Sequence, residues 1–151
     1  MTLRIPLLFL AVLTPMLAQD GFAYWPAAKL KGYSASLKPG PGGSASEQLA
    51  NLGNHTYMVI RRDQSGEPEI HAGWSDVHLP QDGEATIVWG GKIEGGRLTA
   101  PGETRGGKIV GGTSQKVRAG DVVVIPAGLP HQTLVDKGKA VTVLIVKVEK
   151  K

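Results

Sequence analysis

The sequence predicts a single all-β domain, a sandwich or barrel of short antiparallel strands. Three observations carry that prediction. The 151 residues include 21 glycines and 10 prolines, roughly a fifth of the chain where average usage gives about 12%. About seven runs rich in β-branched and aromatic residues are separated by Asp-Gly, Gly-Gly and Lys-Gly turn signals, the pattern of sandwiches and barrels. No long stretch repeats apolar residues at helical spacing. Hydrophobic content of 41% with 20% charge is globular, and a chain this long buries roughly two thirds of its surface on folding, enough for one core.

Taken in order, the chain begins with a secretory pattern. Arg4 supplies a positive start, Ile5 to Leu17 an apolar run, and Ala18 a small residue before Gln19 and Asp20, so residues 1–18 read as a signal peptide and the product as secreted or periplasmic. The run is too short to span a bilayer, and with no cysteine neither a lipidated thiol nor a disulfide holds the mature chain. Residues 19–50 read as an irregular arm. Pro39-Gly40-Pro41-Gly42-Gly43 excludes helix and central strand, whereas Ser44 and Glu47 have capping-box spacing, Leu49 and Leu52 share a face, and Gly53 closes the end. One short helix is expected there. Residues 51–151 form the β domain, with strands expected over 56–62, 69–71, 76–79, 84–91, 122–126, 132–135 and 140–148. Asp82-Gly83 reads as a two-residue hairpin joining the third and fourth of these.

Several function classes drop out. The net charge is +4, but Lys and Arg are scattered and aromatics are only 5%, unlike a stacking nucleic-acid binder. No Cys nucleophile and no G-x-S-x-G elbow exist for triad chemistry. Gly102 to Lys108 fits G-x4-G-K, but Ile109 stands where magnesium needs a hydroxyl. GGKIEGG (90–96) and GGKIVGG (106–112) nearly repeat, a unit too short for a solenoid and read as two similar turns.

The four histidines are His55, His71, His78 and His131. Three lie in β-rich segments near carboxylates, the donor types a first-row metal ion takes. Gly120, Pro126, Gly128 and His131 are spaced G-x5-P-x-G-x2-H, and here the chain resembles the cupin superfamily, whose second motif has this form followed by x3-N, with Val135 in place of the Asn. The first cupin motif, G-x5-H-x-H-x3-4-E-x6-G, fits in two registers. In one, Glu69, His71, Asp76 and Gly83 hold every spacing, with Glu69 replacing the first His, Asp76 replacing the Glu, and Asp63 where the opening Gly would fall. In the other, His78, Glu84 and Gly91 match, with one residue too many between the first two. The Asp82-Gly83 turn and the shared face of Glu69 and His71 on one strand favour the first.

The resemblance implies a cupin jelly roll, a double-stranded β-helix, in which Glu69, His71, Asp76 and His131 bind a divalent metal ion. Two imidazoles and two carboxylates lean toward Mn, Fe or Zn. His78, two residues past Asp76 on the same face, is the candidate catalytic proton carrier, with an extra-ligand or orienting role as the alternative. The chain resembles small exported bacterial cupins over roughly residues 50–149. That implies a small-molecule partner, a hydroxy or keto acid or a sugar, with isomerase, lyase or oxygenase chemistry, and a homodimer. A metal-free binding or structural module is the competing reading, supported by the substituted first His and the missing Asn.

Overall fold

The computed structural model describes residues 21–151, and the expected leader, residues 1–18, lies outside them. Helix α1 spans Ala27–Ser36, directly after Pro26, whose fixed φ and missing N–H suit a helix start. The Pro26 carbonyl accepts hydrogen bonds from the Lys29 and Leu30 amides at 2.9 and 3.2 Å. Tyr33 is the buried residue of α1, and its hydroxyl donates to Glu47 Oε1 at 2.6 Å. The short helix therefore lies before the glycine-proline segment and not at the capping pattern that follows it.

Ser44–Asn51 is instead a strand, β1, paired antiparallel with β2 (His55–Arg62) from Ser44 opposite Arg62 to Asn51 opposite Thr56. The register slips between Gln48 and Ala50, so Leu49 sits at a bulge. Gly53, expected to close a helix, takes φ 82 in the hairpin loop, where its N–H donates to Asn51 Oδ1 at 3.0 Å. A full strand partner outweighs local helix preferences, which differ by about 0.7 kcal/mol per residue or less.

The remaining strands are β3 (Glu69–His71), β4 (Trp74–Trp89), β5 (Lys92–Glu94), β6 (Arg97–Ala100), β7 (Glu103–Arg105), β8 (Lys108–Val110), β9 (Thr113–Arg118), β10 (Val123–Ile125), β11 (His131–Leu134) and β12 (Val141–Glu149). Two layers curl around the core. One runs β1, β2, β12, the first part of β4, then β10. The other runs β6, β7, β3, β11, the second part of β4, then β9. Ala85, Ile87, Val117, Ile125, Val135, Val141 and Val143 form the buried core cluster between them.

Strand β4 corrects the hairpin expectation. Asp82 and Gly83 do not turn the chain back; β4 continues through them and passes from one layer to the other. The register against β12 slips between Thr142 and Val143, opposite Asp82 and Pro80, a bulge that lets a strand bend and admits a proline. Gly83 has φ +74, and a Cβ there would lie 2.0 Å from the Ala140 carbonyl oxygen. Gly83→Ala therefore meets both a left-handed backbone and a backbone clash, and we expect a loss of about 2 kcal/mol or more, read as a fall of several degrees in Tm.

The near repeat also resolves into structure. Lys92 to Glu94 pairs antiparallel with Lys108 to Val110, Ile93 opposite Ile109, as a separate two-stranded ribbon. Gly91 and Gly107, the second residue of each unit, take φ +64 and +71 and face Val110 O and Glu94 O so closely that a Cβ would lie 2.1 Å away in each case. The two units are thus alike because they pair with each other. Lys108 opens a strand and not a helix, so the phosphate-loop pattern lacks its structural context.

Candidate metal centre

Burial along the first part of β4 alternates, with Asp76, His78 and Pro80 inward. Period two therefore puts the Asp76 and His78 side chains on the core face. Ile125 of β10 lies opposite Asp76 and Val123 opposite His78. In the facing layer His131 opens β11 opposite both Glu69 of β3 and Trp89 of β4. The turn before it is set by Pro126 and Gly128: the Leu129 amide donates to Pro126 O at 3.1 Å, and the Gly128 amide to His71 O at 2.8 Å. That second bond fastens the His131 turn to the His71 strand.

The side chains converge. His71 Nε2 lies 3.6 Å from Glu69 Oε2 and 3.5 Å from Asp76 Oδ2, and His131 Nε2 lies 3.5 Å from Glu69 Oε1 and 3.8 Å from Asp76 Oδ2. His78 Nε2 lies 3.8 Å from the same Asp76 oxygen. All three imidazoles and Asp76 are buried. Ligand atoms about 2.0–2.2 Å from one ion sit roughly 3–4 Å apart, so this spacing matches donors around a common point. Glu69, His71 and His131 each place one donor within 4.8 Å of the others and form a group able to hold a metal ion. Asp76 adjoins that group through its Oδ2.

The imidazoles of His71 and His131 are each oriented from behind. His131 Nδ1 donates to the Leu129 carbonyl at 3.0 Å, and His71 Nδ1 meets Glu103 Oε2 at 2.5 Å. A donor bond from Nδ1 leaves the Nε2 lone pair aimed inward, the arrangement typical of metal-binding histidines. Among the described residues, His131 Nε2 and His78 Nε2 are buried without a hydrogen-bond partner, a costly state that an ion or a polar ligand relieves.

The carboxylates are held ionised. Burial raises the Glu69 pKa, but His131, Arg105 and His71 together outweigh it and bring it down to about 2. Burial likewise opposes ionisation of Asp76, and His78, Lys147 and His71 depress it below the usual carboxylate range. For His131 burial works against the charged form, yet Glu69, the Leu129 carbonyl and Asp76 raise its pKa. Two cations each hold one carboxylate oxygen: Arg105 Nη1 pairs with Glu69 Oε2, and Lys147 Nζ donates to Asp76 Oδ1 at 2.7 Å. Glu69 Oε1 and Asp76 Oδ2 face the imidazoles, and Glu69 Oε2 lies near His71 Nε2 as well.

All five residues nominated from sequence, Glu69, His71, Asp76, His131 and His78, thus come together. Sequence reasoning missed Glu103, Arg105 and Lys147. The cross-strand pairs of β3 and β7, Glu69 with Arg105 and His71 with Glu103, carried a readable signal: Glu103-Thr104-Arg105 complements Glu69-Ile70-His71 in charge when aligned antiparallel.

A cavity of about 190 Å³ opens beside the group, lined by Met58, Ile60, Arg62, Ile145 and Lys147 from β2 and β12 and by Glu69, His71, Asp76 and Arg105. A larger apolar cleft of about 430 Å³, between β9 and β10, is lined by none of the five nominated residues.

The architecture is the double-stranded β-helix, or cupin, fold. Solved structures sharing it include an uncharacterized conserved protein with a double-stranded β-helix domain from Klebsiella pneumoniae (14% identity, TM-score 0.56, covering 76% of this chain and 84% of that one). The polyketide cyclase RemF from Streptomyces resistomycificus matches at 16% identity and TM-score 0.52, over 78% of each chain. Oxalate oxidase in complex with the substrate analogue glycolate matches at 20% identity and TM-score 0.53, over 74% of this chain. This chain covers 54% of the oxalate oxidase chain, about half its length. No family model and no curated protein matches the sequence.

Proposed function

We propose that the chain is a metal-dependent cupin that acts outside the cytoplasm on a small polar molecule, a hydroxy or keto acid or a sugar-like compound. The observation that carries this reading is the convergence of Glu69, His71 and His131 on one point, with His131 Nε2 buried and unpartnered. Glu69, His71, Asp76 and His131 would hold a divalent ion, with Mn, Fe and Zn favoured by the mixed imidazole and carboxylate donors. Bound there, the ion supplies Lewis acidity for isomerase or lyase chemistry or, as iron, a redox centre for oxygen.

The chain's own groups have separate duties. Glu103 and the Leu129 carbonyl hold the imidazoles in the ligating tautomer, while Arg105 and Lys147 fix one oxygen of each carboxylate. His78 is the proton carrier: its Nε2 is buried, has no hydrogen-bond partner among the described residues and faces Asp76 at 3.8 Å. The proposal includes export, supported by the leader pattern of residues 1–18, and a homodimer, which the cupin resemblance implies.

A metal-free ligand-binding module is the second reading, favoured by the ion pairs that already neutralise Glu69 and Asp76. Chelation separates the two. A metal-loaded protein loses heat stability on treatment with EDTA, because an ion that binds only the folded state stabilises it by mass action, by about 4 kcal/mol at a thousandfold excess over Kd. We expect Tm to fall by several degrees and to recover on adding back the ion. His78→Ala should show the same fall and recovery, since His78 is assigned to proton transfer. A melting curve that EDTA leaves unchanged in protein that carried metal contradicts the proposal.

A further inference from the structure

Arg62, the last residue of β2, lines the cavity beside the metal-binding group on the same face as Met58 and Ile60. Among the described residues its guanidinium makes no ion pair or hydrogen bond, unlike Arg105 and Lys147, whose charges are taken by Glu69 and Asp76. Gly66 leaves it room: a Cβ there would lie 3.2 Å from Arg62 Cζ and Nη1, close enough that the guanidinium would have to shift. Burial and the nearby positive charge of Arg105 both lower the Arg62 pKa, and the charge of Glu69 opposes them. A half-buried guanidinium with no anion of its own is a standing cost that a bound anion relieves.

The charge around the cavity points the same way. Three cations, Arg62, Arg105 and Lys147, face two carboxylates, Glu69 and Asp76. A divalent ion makes the excess positive charge three, and Glu103 behind His71 reduces it by only one. The cavity of about 190 Å³ is smaller than the roughly 300–1,000 Å³ that drug-sized ligands occupy. We infer that Arg62 is the anion anchor of this site, and that the molecule it selects is a small carboxylic acid and not a neutral sugar. A planar fork of donors matches a carboxylate edge to edge. This deepens the metallocupin reading and rests on it for the ion's charge.

The test is calorimetric titration of the metal-loaded full-length mature protein with acetate, glycolate and malonate. Glycolamide serves as the neutral counterpart of glycolate, and inorganic phosphate as the competing anion. We expect saturable binding of at least one carboxylate, with glycolamide at least about tenfold weaker than glycolate. Arg62→Gln should raise the carboxylate Kd about tenfold or more, as expected for loss of a charge-assisted pair, and should leave glycolamide unchanged; Arg62→Lys should fall between. Gly66→Ala keeps Arg62 but displaces its head, and should weaken carboxylate binding several-fold.

Metal content, measured on every variant, should stay at the wild-type level. Equal binding of glycolate and glycolamide, undiminished carboxylate binding in Arg62→Gln, no saturable carboxylate binding, or tighter binding of phosphate than of every carboxylate would each overturn the assignment while leaving the metal proposal standing. A chain that takes up no metal overturns the metal proposal instead, and the glycolate and glycolamide titrations on that chain still decide the role of Arg62.

Discussion

Substituting either buried histidine of the group, His71→Ala or His131→Ala, is expected to reduce metal affinity by more than about a hundredfold, measured by competition titration of Mn and Zn into folded protein. Loss of a partner that merely orients a ligand costs 10–100-fold, and these two residues are placed to supply ligand atoms themselves. His71 Nε2 and His131 Nε2 flank Glu69 from two strands, at 3.6 and 3.5 Å from its two oxygens. Removing either leaves one of these two imidazoles beside the carboxylates, with His78 Nε2 3.8 Å from Asp76 Oδ2. Folding should survive better than binding, because the lost side chains carry polar atoms: His131 Nε2 is already unpaired, so truncation removes a buried cost along with a packing contact. A variant that keeps wild-type affinity while folded would exclude that histidine as a ligand.

The second large effect is expected at Glu103, which touches no other nominated ligand than His71. Its carboxylate meets His71 Nδ1 at 2.5 Å and is only partly exposed. Two consequences follow from that contact: the proton of His71 stays on Nδ1, and the negative charge behind the ring strengthens Nε2 as a metal donor. Glu103→Ala removes both and should weaken metal binding by roughly 10–100-fold. Glu103→Gln can still accept the Nδ1 proton through its amide oxygen, so it should lose less, on the order of tenfold. Comparing the two variants by the same titration separates orientation from charge. Equal affinities for wild type and Glu103→Ala would show that backbone packing alone orients His71.

The site was more legible in the sequence than the path of the chain around it. Glu69, His71, Asp76 and His131 were readable through the resemblance to the cupin motifs, whose fixed spacings, like strand alternation, are local properties. The expected strand at 69–71 coincides with β3, and His131 opens β11 as the turn before it implies. The features that failed all depend on distant partners. Ser44 and Glu47 satisfy a helix cap locally, yet β2 and Tyr33 claim that segment from 5 to 18 residues away in sequence. Asp82-Gly83 has the composition of a hairpin, but the Ala140 carbonyl beside Gly83 belongs to the segment leading into β12, which no local pattern connects to it. Helix α1 has little amphipathic patterning to announce it, since Tyr33 alone is buried in it. Glu103, Arg105 and Lys147 were passed over because a charged residue on a strand has meaning only once its register against the neighbouring strand is known. The paired glycine-rich units needed the same long-range information to be seen as partners.

Whether Glu69, His71, Asp76 and His131 bind one ion is decided by elemental analysis of the mature protein, exported and purified without chelator or immobilised metal, beside the His71→Ala/His131→Ala double variant. We expect about one Mn, Fe or Zn ion per chain in the wild type and less than about a tenth of that in the double variant. Absence of metal from the wild type, persisting after reloading with Mn, Fe, Ni and Zn, or equal metal in both proteins, would contradict the claim and leave the cavity as a metal-free binding pocket.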